Sequence, residues 1–212
     1  MLVPGSENGD ILRITEVGED ILGRRCRDVV EFGTPELSHL IGSMFLTMYV
    51  AQGVGLAANQ VDVDLRLFVF DCHDDDGVRH VGHILNPVIE NPAGTGPRNL
   101  VEASEGCLSV PGAAQPLARP DRAVVRGHDK DGRPVRIEAT GYFARCLLHE
   151  TDHVDGLLYI DRMDRRRRRA VLEEMERERE RVLAERATRA RALGKSAPAD
   201  RRVDRVHAPE AG

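Results

Sequence analysis

The sequence predicts an α+β domain in which antiparallel β-sheets pack around a central helix, with one helix before the strands and a long charged helix after them. Two observations carry that expectation. Strand-like runs joined by tight turns gather in the middle of the chain, whereas helical periodicity lies at either side. The β-α-β alternation of a doubly wound parallel sheet is absent.

The first helix is expected over residues 34–50. Thr34 suits the cap and Pro35 the first helical position, and Leu37, Leu40, Ile41, Met44, Phe45 and Met48 recur at helical spacing as one buried stripe. Residues 65–71 (LRLFVFD) and 80–90 read as two strands, separated by the turn Asp74-Asp75-Asp76-Gly77 and paired antiparallel. Residues 91–99, with Pro92, Gly94, Gly96 and Pro97, read as a loop. Arg122–His128 and 133–139 alternate around Asp129-Lys130-Asp131-Gly132, a hairpin in which Gly132 takes positive φ. Thr140 is the expected cap of a helix over residues 142–154, which Gly156 ends.

After Asp161 the composition changes. Five arginines, Arg165 to Arg169, open a segment in which Glu and Arg alternate, with Glu173–Arg177 and Glu185–Arg189 at the favourable i,i+4 spacing. Its apolar stripe is thin: Val171, Leu172, Met175, Val182, Leu183, Ala187 and Ala190. The chain therefore divides into a main domain over residues 1–161, a charged helix over 162–193 and a tail over 194–212 expected to be disordered.

The 212 residues are 41% hydrophobic and 4% aromatic, with no Trp, so stacking platforms for single-stranded nucleic acid are not expected in the main domain. No apolar run reaches the roughly 18 to 20 residues of a membrane span, and residues 1–10 lack the pattern of a signal peptide, so a cytoplasmic protein is expected; a monomer is the expected state. Four cysteines, Cys26, Cys72, Cys107 and Cys146, lack C-x-x-C spacing and read as free thiols. The net charge of −5 is an average of unlike parts: residues 1–161 carry 14 basic and 25 acidic side chains, and residues 162–212 carry 16 and 10.

The chemistry is concentrated in His149-Glu150-Thr151-Asp152-His153. Residues four apart on a helix lie one turn above each other, so both imidazoles can reach one metal ion with Glu150 beside them. The plain alternative is a solvated helix with two incidental histidines. A catalytic site needs a third ligand and an open position. Tyr159 stands where a metzincin would have its third His, and Glu173 or Glu174 stands near the thermolysin-like spacing, inside the Arg/Glu helix. Upstream, Glu105-Gly106-Cys107-Leu108-Ser109 offers a thiolate.

With a third segment, Gly53-Val54-Gly55-Leu56-Ala57-Ala58-Asn59-Gln60, these motifs stand in the order of a known family, and over residues 11–162 the chain resembles peptide deformylases. The resemblance implies a hydrolase that removes the N-formyl group from the methionine of newly made polypeptides. It implies Cys107, His149 and His153 as ligands of one Fe²⁺, with Zn²⁺, Ni²⁺ or Co²⁺ as substitutes. A metal-bound water is then the nucleophile and Glu150 the general base and acid, while Gln60 and the Leu108 N–H receive the oxyanion. Val54, Gly55, Glu105 and Cys146 are expected at the methionine pocket, and Arg119 against peptide backbone or a motif carboxylate. Gly53 and Gly55 are expected to let backbone lie close to metal or substrate.

Two positions depart from the family pattern: Leu148 replaces a common Gln, and Arg145 replaces an apolar residue beside the pocket. Two further readings compete, a zinc peptidase and an idle binding module. The cationic terminal helix suggests a ribosomal partner, against the alternative of a self-paired solvated helix.

Overall fold

In the computed structural model, residue 3, residues 6–90 and 99–196, and residue 198 are described. Helix α1 (Pro35–Val50) begins as expected, with the Leu37 N–H donating to Thr34 Oγ1 at 3.1 Å and Pro35 in its first turn. Its burial exceeds one stripe. Ser43 and Thr47 are also buried, because their hydroxyls accept the Asp10 and Leu12 N–H groups and hold the N-terminal segment over a second face.

The main sheet has five strands: β1 (Gly55–Ala57), β2 (Leu67–His73), β3 (Arg79–Ile89), β6 (Arg122–His128) and β7 (Pro134–Thr140), ordered β1-β2-β3-β6-β7 with every neighbour antiparallel. Strand β2 is buried on both faces, which explains its unbroken apolar run. Leu67 and Val69 join Met44, Met48 and Leu85 under α1, whereas Phe68, Phe70 and Cys72 join Phe143 and Leu147 of the second helix, α2 (Gly141–Val154). The hairpin between β6 and β7 turns at Gly132, whose φ is +82°.

A second sheet pairs β4 (Leu100–Cys107) with β5 (Val110–Pro120). Neither strand is legible in the sequence, since prolines, glycines and small residues break the alternation, and nor is the three-residue β1. Residues 91–98 of the expected loop, and all of the expected tail except 194–196 and 198, lie outside the described residues.

The charged segment forms α3 (Arg165–Ala192), capped by Asp164, whose carboxylate accepts the Arg167 N–H at 2.9 Å. It lies along β5, with Val171 and Met175 buried against Val110, Leu117, Tyr159 and Ile160. Polar side chains bind it too. Arg179 pairs with Glu16 at 2.6 Å, Arg189 donates to the Val50 carbonyl at 2.6 Å and Lys195 to that of Gly9 at 2.8 Å. Of the expected intrahelical pairs, Glu185–Arg189 forms at 3.7 Å, whereas Glu173 is held by Arg169 at 2.8 Å instead of Arg177. A helix so attached is structural material of the domain on one side, while ion pairs such as Arg169–Glu173 and Arg181–Glu185 line its exposed side. Met175→Ala should accordingly lower stability by about 2–5 kcal/mol in urea unfolding, the range for a truncated core methionine. Arg177→Ala, at an exposed position, should stay within about 0.5 kcal/mol.

Candidate active site

Helix α2 carries the H-E-x-x-H sequence, and both its ends are held by side chains from elsewhere in the fold. The Thr140 side chain does not cap it. The Tyr142 N–H donates to Asp75 Oδ1 at 3.2 Å and the Gly141 N–H to the Asp121 carbonyl at 2.8 Å. At the other end Asn59 Nδ2 donates to the His153 carbonyl at 2.6 Å, and buried Arg66 donates to the Val154 carbonyl at 3.0 Å and to Asp155 at 2.6 Å. Orphan carbonyls and the negative end of the helix are thereby both satisfied. Gly156, at φ +82°, turns the chain away as expected.

The two imidazoles and Cys107, at the end of β4, converge. His153 Nε2 lies 3.1 Å from both Cys107 Sγ and His149 Nε2, and the three ligand atoms lie within 4.8 Å of one another. His149 Nδ1 is 2.7 Å from Glu105 Oε1, which assigns its proton to Nδ1 and leaves the Nε2 lone pair for the cluster. Lone pairs and a sulfur that face one another in a buried space fit a cation. The donor set of one thiolate and two imidazoles fits a transition ion, not magnesium or calcium. Among the described residues no other group of three His, Cys, Asp or Glu has this geometry. Glu173 and Glu174 are not part of it.

Glu105 is the hub behind the cluster. Its carboxylate accepts from Arg119 at 2.5 and 3.0 Å, from Arg145 at 2.8 Å and from His149. Burial would raise its pKa, but the bonds from His149 and Arg119 outweigh burial and hold it well below the carboxylate range. Burial likewise opposes charge on His149, and the bonds to Cys107 and Glu105 overcome it and raise that pKa. His153 is pushed down by burial and by the neighbouring His149.

Glu150 differs from Glu105 in having no arginine. Buried with Oε2 unpartnered, it is pushed up to about 7, chiefly by burial, with Glu105 adding to the effect and His149 opposing it. A carboxyl near neutrality exchanges protons readily. Gly55 makes room for it: a Cβ there would lie 2.3 Å from Glu150 Oε1, so the close approach of β1 is to this side chain. A Cβ on Gly53 would lie 2.6 Å from the Leu108 side chain. Gln60, buried in the turn Ala58–Val61, accepts the Ala57 N–H at 2.9 Å and directs Nε2 to Ser109 Oγ at 3.1 Å and Cys107 Sγ at 3.5 Å.

These groups open onto a cleft of about 360 Å³ lined by Val54, Gly55, Gln60, Glu105, Cys107, Leu108, Cys146, His149 and Glu150. Buried Cys146 lies with Sγ 3.6 Å from the Val54 carbonyl. Arg119 is not on the wall: of its two expected contacts the carboxylate one is present, with Glu105 and with Asp152 at 2.5 Å. Arg145, expected beside the pocket, does line the cleft, but its guanidinium is tied up by Glu105 and by the Leu117 and Val101 carbonyls. Sequence reasoning missed Ser109, Asp152 and Arg186. Ser109 lay inside a motif already singled out, whereas nothing local marked Arg186 of α3, which reaches the cleft wall from far along the chain.

The family described as polypeptide deformylase matches residues 11–169. Peptide deformylase 1 of Streptomyces avermitilis is 52% identical over 170 residues, covering 80% of this chain and 77% of that protein. Peptide deformylase 2 of the same organism is 48% identical, covering 81% and 89%. Among solved structures, a peptide deformylase from Legionella pneumophila superposes with a TM-score of 0.71 at 35% identity, covering 82% of this chain and 98% of that one. One from Synechococcus elongatus, in complex with actinonin, gives 0.68 at 36% identity, covering 79% and 87%. The match spans the three motifs whose side chains meet at the cleft, and on that ground the chain belongs to the polypeptide deformylase family.

Proposed function

We propose that this chain hydrolyses the formamide of N-formylmethionyl peptides, releasing formate and a free amino terminus, with Glu150 moving the proton. The observation that carries the reading is the buried, unpartnered Glu150 Oε2 beside the convergent Cys107, His149 and His153. A divalent ion held by those three would supply Lewis-acid polarisation and an activated water. Ferrous iron is the ion proposed, with zinc, nickel or cobalt as substitutes.

The chain's own groups do the rest. Glu150 takes a proton from the attacking water and later delivers it to the leaving amine nitrogen, as the water oxygen joins the formyl carbon and the C–N bond breaks. Gln60 Nε2 and the Leu108 N–H donate to the formyl oxygen as its charge develops, and such donors contribute roughly 3 kcal/mol each in comparable sites. Val54, Gly55 and Cys146, with the hydrocarbon parts of Glu105 and His149, receive the methionine side chain. Glu105, itself held by Arg119 and Arg145, keeps His149 in the ligating tautomer. The exposed arginines Arg165, Arg166, Arg168 and Arg169 at the start of α3 support a ribosomal partner, while the buried face of that helix serves the domain.

Formate release from formyl-Met-Ala-Ser under nitrogen, with ferrous ion supplied, should fall at least about a hundredfold in Glu150→Gln while bound metal stays equimolar. Cys107→Ala should lose the metal itself. A wild type without turnover would overturn the reading, and a Cys107→Ala protein with full metal content would favour the peptidase alternative. If iron is the working ion, activity should decay on aeration as ferrous ion and thiolate oxidise, whereas an unchanged rate after hours in air would assign zinc. For the ribosomal partner, Arg165→Glu with Arg166→Glu should abolish salt-sensitive co-sedimentation with ribosomes and leave the small-peptide rate intact.

A further inference from the structure

The withdrawn arginines of this protein are paired with carboxylates. Arg66 has Asp155 and Asp28, Arg119 has Glu105 and Asp152, Arg145 has Glu105, and Arg179 has Glu16. That is the usual rule, since an uncompensated guanidinium in a poorly hydrated place is costly. Arg186 breaks it. It stands on α3 in the wall of the catalytic cleft, with Val182 one turn before it, and donates Nη2 to the Leu108 carbonyl at 3.0 Å. Its Nε is buried without a partner, and it makes no ion pair among the described residues. The nearest opposite charges do not answer it. Glu16 is engaged by Arg179, and Cys107 is placed to ligate metal. Burial accordingly pushes the Arg186 guanidinium down to about 10, against the pull of Glu16 and Cys107.

The carboxylates of the cleft are also committed: Glu105 is filled by three donors, and Glu150 lies against Gly55. An anion that satisfies Arg186 must therefore arrive with the ligand. The Leu108 residue fixes where. Its carbonyl is held by Arg186, and its N–H is the donor proposed for the formyl oxygen, so Arg186 is anchored on the residue proposed to bind the reacting end. Arg186 lines the same cleft as the proposed methionine pocket, so a peptide lying along that cleft would meet its wall.

We propose that Arg186 is a specificity-determining residue that receives a carboxylate of the bound peptide beyond its first residue. The carboxylate is either an acidic side chain or the free C-terminus of a short peptide. This rests on the deformylase reading, because it takes the occupant of the cleft to be a formylmethionyl peptide. The anchor on Leu108 makes Arg186 a positioning residue as well, so the test reads selectivity and not absolute rate.

The experiment compares kcat/KM of the metal-loaded protein on formyl-Met-Ala-Ser amide, formyl-Met-Ala-Ser with a free carboxylate, and formyl-Met-Ala-Asp amide. In the wild type one or both carboxylate peptides should exceed the neutral amide by roughly tenfold, mainly through KM, and which one does so assigns the source of the carboxylate. In Arg186→Met that ratio should collapse to near one, whatever the absolute rate. Arg186→Lys should keep part of it, and added salt should erode it in the wild type. Equal kcat/KM on all three peptides in the wild type, or an unchanged ratio in Arg186→Met, would overturn the proposal while leaving deformylation in place. Absence of formate from every peptide with the wild type would overturn the deformylase reading itself. Should Arg186→Met fail to fold, the ratio in Arg186→Lys and its salt dependence in the wild type still decide the matter.

Discussion

One buried carboxylate organises this molecule. Glu105 takes donors from Arg119, Arg145 and His149, which come from two elements: Arg119 from β5, Arg145 and His149 from α2. The carboxylate itself lies on β4, two residues before the sulfur of Cys107. A single side chain thus couples the small sheet, the central helix and the orientation of a metal-facing imidazole. Buried ion pairs are weak evidence for net stability, but removing one partner from such a set leaves stranded charge and costs about 3–5 kcal/mol. The cluster extends outward in the same alternating way, from Arg119 to Asp152 and from Asp152 to Arg162. The construction fixes geometry more than it adds free energy.

The contrast between the two buried glutamates follows from that arrangement. Glu105 and Glu150 are withdrawn from water to a similar degree, at 5% and 3% exposure, yet the first is held well below the carboxylate range and the second is pushed up to about 7. Burial acts on both in the same direction. What separates them is that Arg119, Arg145 and His149 all direct a donor at Glu105, whereas the Gly55 backbone packs against Glu150 in place of an arginine. Two carboxyls in environments that drive their proton affinities apart support the structural part described for Glu105 and the proton transfer proposed for Glu150.

The sequence discloses what is local and hides what is not. The His149–His153 pair, the Thr34 cap, the Gly132 and Gly156 turns and the strand β2 are consequences of residues within a few positions of each other, and each is legible. Cys107 and Gln60 are more than forty residues from His149, so no periodicity could bring them in, and they entered through resemblance. Strands β4 and β5 escape because Pro111, Pro116 and the small residues near them spoil the alternation that normally marks a strand. The hairpin forms regardless, since its ladder is completed by pairing from Leu100↔Pro120 to Gly106↔Ala114. The largest gap is α3. Its apolar stripe is too thin to announce a packed helix, because much of its attachment is made by Arg179, Arg186, Arg189 and Lys195 reaching carboxylates and backbone carbonyls. Charge patterning alone cannot distinguish such a helix from a solvated one.

Arg145 illustrates how an apparent departure becomes a structural part. A cation beside an apolar pocket should be unfavourable on burial alone. Here the guanidinium bonds Glu105 on β4, the Leu117 carbonyl on β5 and the Val101 carbonyl on β4, so it staples both strands of the hairpin to α2. An apolar residue at the same place could pack but could not donate to two strands at once. Arg145 is the second arginine on Glu105, and its charge is matched because Arg119, the first, also pairs with Asp152. The ion pair that compensates the buried Arg145 charge therefore also fixes the hairpin whose strand β4 ends at Cys107.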